Sequence, residues 1–125
     1  PQYDCAVLDV YDYLLDRIES CERAGISRDR ICVDPGIGFG KSLSHNLELL
    51  SRLAIFHGLG CSILLGTSRK SFIGKIDPAA SPKERLGGSI ASAVNGWRHG
   101  VQMIRVHDVH DTVQSISVAT ATSMV

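Results

Sequence analysis

The sequence predicts an α/β fold built on a parallel sheet, and three observations carry the prediction. Helical and β-like patterns alternate along the 125 residues in the order α-β-α-β-α-β-α. The β-like segments are short apolar runs bounded by glycine, proline or aspartate, the pattern of strands buried on both faces. Helical segments separate them, as the crossovers between parallel strands require.

The elements follow in order. From Asp4 to about Ala24, Val7, Val10, Leu14, Ile18 and Cys21 recur at helical spacing, and Gly25 supplies a stop. Arg30-Ile31-Cys32-Val33 is the first strand, ending at Asp34-Pro35-Gly36. Ser44 can cap a second helix in which Leu47, Leu50 and Ala54 share a face before Gly58. Ser62-Ile63-Leu64-Leu65 is a second buried strand, closed by Gly66. Ser81-Pro82-Lys83-Glu84 combines a Ser cap, proline at the first helical position and Glu three residues after the cap. Leu86, Ile90, Val94 and Trp97 continue one apolar face of that third helix, and Gly100 ends it. Val101 to Val106 makes a third strand, and Asp108 can cap a last helix carrying Val109, Val113 and Ile116. Open doubly wound sheets and closed (β/α)8 barrels both satisfy this order. In either, chemistry lies beyond the carboxyl ends of the strands.

Composition narrows the function. Thirteen Lys plus Arg balance thirteen Asp plus Glu, so there is no overall field for nucleic acid or an anionic membrane. Local clusters can still hold small acidic molecules. No apolar run approaches the ~18–20 residues of a membrane span, and the N-terminus does not read as a signal peptide. The chain begins with Pro1, so it is expected to be processed or a piece of something longer. Cys5, Cys21, Cys32 and Cys61 are widely spaced and read as small buried thiols of a reducing compartment. His45, His57, His99 and His110 lack metal-ligand spacing and read as surface or helix-terminal residues. Tyr3, Tyr11 and Tyr13 read as packing, and Trp97 as a helix–sheet contact.

Three strand ends carry unusual chemistry. Asp34-Pro35-Gly36-Ile37-Gly38-Phe39-Gly40-Lys41 places a carboxylate before three glycines, so that an acceptor sits beside backbone a ligand can approach closely. Such a carboxylate can accept two N–H bonds from an amino-heterocycle. A P-loop is excluded because Pro35 stands where its first glycine is needed, and G-x-G-x-x-G fails at Lys41 or Leu43. Gly66-Thr67-Ser68-Arg69-Lys70-Ser71 adds two cations and three hydroxyls. There Lys70 can donate to a ring carbonyl or nitrogen and Ser71 can meet a carboxylate near a helix start, while Arg69 reads as part of a solvated basic turn. In Arg105-Val106-His107-Asp108, Arg105 and His107 alternate with Val106 and point to one side. Arginine there can pair with phosphate or stack on an aromatic ring, and Asp108 reads as a helix cap.

Taken together, the runs 34–41, Ser68-Arg69-Lys70-Ser71 and Arg105-Val106-His107-Asp108, with Glu84-Arg85-Leu86-Gly87-Gly88-Ser89, closely resemble dihydropteroate synthase in order and spacing from about Tyr3 to Ala121. The resemblance implies one partial domain over residues 1–125, the C-terminal part (about strands six to eight) of a (β/α)8 TIM barrel. It implies condensation of p-aminobenzoate with 7,8-dihydropterin-6-ylmethyl diphosphate, releasing diphosphate. It places Asp34 on the amino-pyrimidine edge and Lys70 on the ring carbonyl and nitrogen. Arg105 would stack on the pterin and, with His107, hold the diphosphate. Gly38, Phe39, Ser68 and Ser71 complete the substrate-binding set, with the last three bordering p-aminobenzoate. Catalysis would be by positioning, with no covalent nucleophile. Mg2+ is implied as cofactor, with its protein ligand outside this chain. So are a homodimer of the full-length protein and a cytoplasmic location. A TIM barrel takes ~250 residues, so the fragment alone is expected to be inactive. A methyltetrahydrofolate-binding methyltransferase-type barrel would not need Arg105 and His107 as a diphosphate anchor. A non-catalytic half-barrel assembly module would complete itself as a discrete dimer.

Overall fold

The computed structural model describes residues 3–124. Helix α1 (Ala6–Arg23) buries Ala6, Val7, Val10, Leu14 and Ile18, the stripe its spacing predicts. It closes at Gly25 through hydrogen bonds from the Gly25 and Ile26 N–H groups to the Glu22 and Cys21 carbonyls, the Schellman pattern.

Strand β1 (Cys32–Val33) lies beside β2 (Ser62–Gly66), which pairs in turn with β3 (Met103–Arg105), all parallel. The register sets Val33 against Ile63, Leu65 against Ile104, and Gly66 against Arg105. Val33, Ile63 and Leu65 point into the hydrophobic core, where each large aliphatic contributes roughly 1.5–3 kcal/mol. The alternate residues Cys32, Ser62 and Met103 are exposed. Burial on both sheet faces was expected; one face is covered and the other open. Cys32 therefore differs from its expected burial, because its side chain falls on the open face.

The second helical segment differs in detail. Helix α2 (Leu43–Ser51) is capped by Ser42 rather than Ser44, with Ser42 Oγ accepting from the His45 N–H. It gives way to a 3-10 stretch, Leu53–Leu59. A 3-10 turn has three residues, so Leu53, Phe56 and Leu59 share one face and are fully buried. Leu47 and Ala54, expected on the inner face, are exposed.

A short helix absent from the expected order, α3 (Ser71–Ile76), follows β2. The next helix, α4 (Leu86–Arg98), starts five residues after Ser81. Ser81–Glu84 closes instead as an isolated turn, with Glu84 N–H donating to the Ser81 carbonyl at 2.9 Å and the Glu84 carboxylate accepting from Ser81 N–H at 3.1 Å. Arg85, at φ −106° and ψ 10°, leaves the helical path between turn and helix. The buried face of α4 is Ser89, Ser92, Ala93 and Gly96, while Leu86 is exposed. Helix and sheet approach too closely for larger side chains: a Cβ on Gly96 would lie 2.5 Å from Leu65 Cδ2. Trp97 accordingly lies half-buried in a groove toward the last helix, α5 (Val109–Ser123). Tyr11 stacks near Phe56, whereas Tyr13 is exposed. Among the described residues, no helix is long and apolar enough to cross a membrane.

Candidate functional site

The three strand ends converge on one rim of the sheet. Asp34 follows β1 directly, Arg105 ends β3, and Lys70 stands four residues past β2. Arg105 Nη2 lies 3.8 Å from Asp34 Oδ2. Asp34 Oδ1 accepts from the Gly36 N–H at 2.8 Å, which fixes the carboxylate against the start of its loop.

Gly66 makes room for the guanidinium. Its register partner is Arg105, and a Cβ at Gly66 would meet Arg105 Nη2 at 2.7 Å. The planar group thus lies across the end of β2 where any side chain would displace it.

The loop 34–41 is ordered from within. Gly36, Gly38 and Gly40 all have positive φ, a path L side chains rarely adopt. Buried Asn46 accepts from the Gly38 N–H at 2.8 Å. Lys41 Nζ donates to the Gly36 and Phe39 carbonyls at 2.8 and 3.0 Å. Lys70 Nζ donates to the Ile37 carbonyl and sits 4.6 Å from the centre of the exposed Phe39 ring.

Burial pushes the ammonium pKa of Lys70 below the ordinary lysine range. Asp34 opposes that shift, and Arg105 and Lys41 add to it. Burial likewise lowers Lys41, again opposed by Asp34. A single carboxylate thus faces Lys41, Lys70 and Arg105, a local excess of positive charge in a chain of zero formal charge. That suits an anionic ligand whose other end presents N–H donors.

On the far side of Lys70, Ser68 and His107 are joined. Ser68 Oγ accepts from the His107 backbone N–H at 3.1 Å and lies 2.7 Å from His107 Nδ1. A hydroxyl carries one proton and two lone pairs, so Ser68 can accept from the backbone and still bond the ring, which ties the imidazole to the loop after β2. Gly66, Ser68, Lys70, Arg105 and His107 line a depression of about 350 Å³. The larger groove between α4 and α5, about 600 Å³, is mainly apolar, lined by Trp97, Ile104, Val113 and Ile116 among others.

Asp34, Gly38, Phe39, Ser68, Lys70, Arg105 and His107 therefore share one rim. Ser71 is exposed in the first turn of α3. Asn46 and Lys41 escaped the sequence reading. The signal for Asn46 was a polar residue on the same helical stripe as Leu49, Leu50 and Leu53. Arg69 is exposed in a turn, as its sequence suggests, and Asp108 stands at the N-cap of α5 but makes no side-chain cap bond there. Its carboxylate instead takes the Arg69 guanidinium, at 3.0 Å from Nη2 and 3.4 Å from Nε.

A model of the pterin-binding enzymes matches residues 1–107. The chain belongs to that family. Dihydropteroate synthases agree with it along nearly its whole length. Dihydropteroate synthase from Escherichia coli K12 is 48% identical over 122 residues, which are 98% of this chain and 43% of the relative. Dihydropteroate synthase from Xanthomonas albilineans, solved with 7,8-dihydropteroate, superposes with a TM-score of 0.96 at 40% identity, over all of this chain and 48% of that one. The Yersinia pestis dihydropteroate synthase in a sulfonamide drug complex gives 0.94 at 40% identity, over all of this chain and 45% of that one. The chain thus spans less than half the length of these relatives.

Proposed function

We propose that this chain forms about strands six to eight of a (β/α)8 barrel and supplies half of the active site of a dihydropteroate synthase. The observation that carries the reading is the joining of Asp34, Lys70 and Arg105 at one strand-end rim, with Arg105 3.8 Å from Asp34. The open sheet face and the coverage of the relatives support the barrel.

In this reading Asp34 accepts from the amino-pyrimidine edge of the dihydropterin, and Lys70 leaves the Ile37 carbonyl to donate to the ring carbonyl and nitrogen. Arg105 lies flat on the ring and, with His107, holds the diphosphate. Gly38 keeps the loop backbone against Lys70, while Phe39, Ser68 and Ser71 border p-aminobenzoate. The methylene C–O bond breaks with its electron pair going to diphosphate, where Arg105 and His107 meet the developing charge. The amine nitrogen of p-aminobenzoate attacks the pterin-methyl cation and loses a proton. Holding two rings in register is the protein's main task, and no covalent nucleophile is required.

Mg2+ belongs to the reading through the diphosphate, but the donor set of this chain does not fit it. Among the described residues, no three His, Cys, Asp or Glu side chains group together, and the rim is dominated by cations. We assign its protein ligand to the complementary part of the barrel. We further infer a homodimer of the complete protein. Its free thiols, four among the described residues, favour a reducing cytoplasm.

Calorimetric titration of the complete protein with dihydropterin diphosphate, and then with p-aminobenzoate, tests the assignment. Tight pterin binding that Arg105→Ala and Lys70→Ala weaken is expected. Unaltered binding in both variants sinks it.

A further inference from the structure

Arg69 carries the one non-glycine positive φ among the described residues, 59°, a conformation that persists only where the surroundings hold it. Three contacts hold it. Its N–H donates to Ser89 Oγ in α4 at 2.9 Å. Its carbonyl accepts from Arg85 Nη1 at 3.0 Å. Its guanidinium is paired with both carboxylate oxygens of Asp108, in the loop after β3. Ser89 Oγ in turn donates to the Arg85 carbonyl, and a Cβ on Gly74 would lie 2.9 Å from Arg85 Nη2, so Arg85 is wedged between α3 and α4.

The residues on either side of Arg69 are Ser68 and Lys70, and the residue before Asp108 is His107. An exposed ion pair is worth little as stability, yet this one spans two loops whose other link, Ser68 to His107, lies in the site itself. We propose that Asp108 and Arg85 are positioning residues. Acting through Arg69, they lock the loop after β2 to the loop after β3, so that Ser68, Lys70 and His107 meet the two substrates as one rigid unit. Neither residue touches the depression that Ser68, Lys70 and His107 line. The proposal rests on the synthase reading for its substrates.

The test uses the complete protein that carries this chain, with Asp108→Asn, Arg85→Gln and Asp108→Glu. In the first two, amide exchange should rise together at 68–71 and 105–108 by about tenfold, with the α1 and α2 amides and the melting temperature unchanged. The KM for p-aminobenzoate should rise on the order of tenfold, with kcat changed much less. Asp108→Glu, which keeps the carboxylate, should recover most of both losses. Unchanged exchange, or faster exchange in one loop alone, overturns the coupling. Faster exchange throughout the core reduces it to a folding role. Absence of synthase turnover in the unsubstituted protein overturns the functional reading, while the exchange comparison still decides the coupling.

Discussion

On the helix side of the sheet Val33, Ile63 and Leu65 are at most 4% exposed, whereas on the other side Cys32, Ser62, Met103 and Arg105, spaced along the same ladders, lie open. Polarity alone does not separate the two sides, since Cys32, half-buried Leu64 and Met103 are as apolar as many core residues. What differs is whether anything packs there. Parallel sheets are found almost only with both faces covered, and an uncovered apolar face marks a place where further structure belongs. The helix side is a finished core; the open side has nothing packed on it.

The largest effect expected from this contrast is complete. The 125 residues alone should give no synthase turnover with both substrates, and turnover at an ordinary enzymatic rate would mean that the open face needs no complement.

Next comes stability. Ile63→Ala should cost about 2–5 kcal/mol in the complete protein, as core truncations do. In the isolated chain, if it folds, Met103→Ala should fall within roughly 0.5 kcal/mol, as exposed substitutions do. Denaturant unfolding measures both. A Met103 cost in the complete protein that rises toward the Ile63 value would sharpen the contrast, and equal small costs in both settings would break it.

At the rim, Arg105→Ala and Lys70→Ala should each weaken dihydropterin diphosphate binding by about 1–3 kcal/mol, the scale of a charged hydrogen bond. The smallest effect is on pH dependence. Binding of the anion uses charged Lys70, whose pKa is lowered first by burial. Affinity should therefore decline as pH rises, beginning below the ordinary lysine range, and Lys70→Arg should remove that decline. Calorimetry between about pH 7 and 10 shows it; an identical profile in the arginine variant assigns the decline to another group.

Legibility in the sequence followed the same division. The α1 stripe and the apolar strands could be read because one side of each is filled by large residues. The buried face of α4 could not, since Ser89, Ser92, Ala93 and Gly96 carry little hydrophobic signal and are buried because they are small. The 3-10 stretch hid because a spacing of three resembles part of a helical pattern. Asp34, Lys70 and Arg105 were legible as charges at strand ends, where a sheet presents its chemistry. The Arg69–Asp108 pair was not, because its members are 39 residues apart and each has a simpler local reading.

Cys32 turns the open face into a measurable quantity. Its thiol is exposed, while desolvation at the strand and then the Asp34 charge hold it above the ordinary thiol range, so alkylation should be slow yet complete in the isolated chain. Any segment that closes over the sheet must stop that reaction. The labelling rate at this one sulfur would then time the covering of that face as the complete protein folds, with neither substrate nor product present.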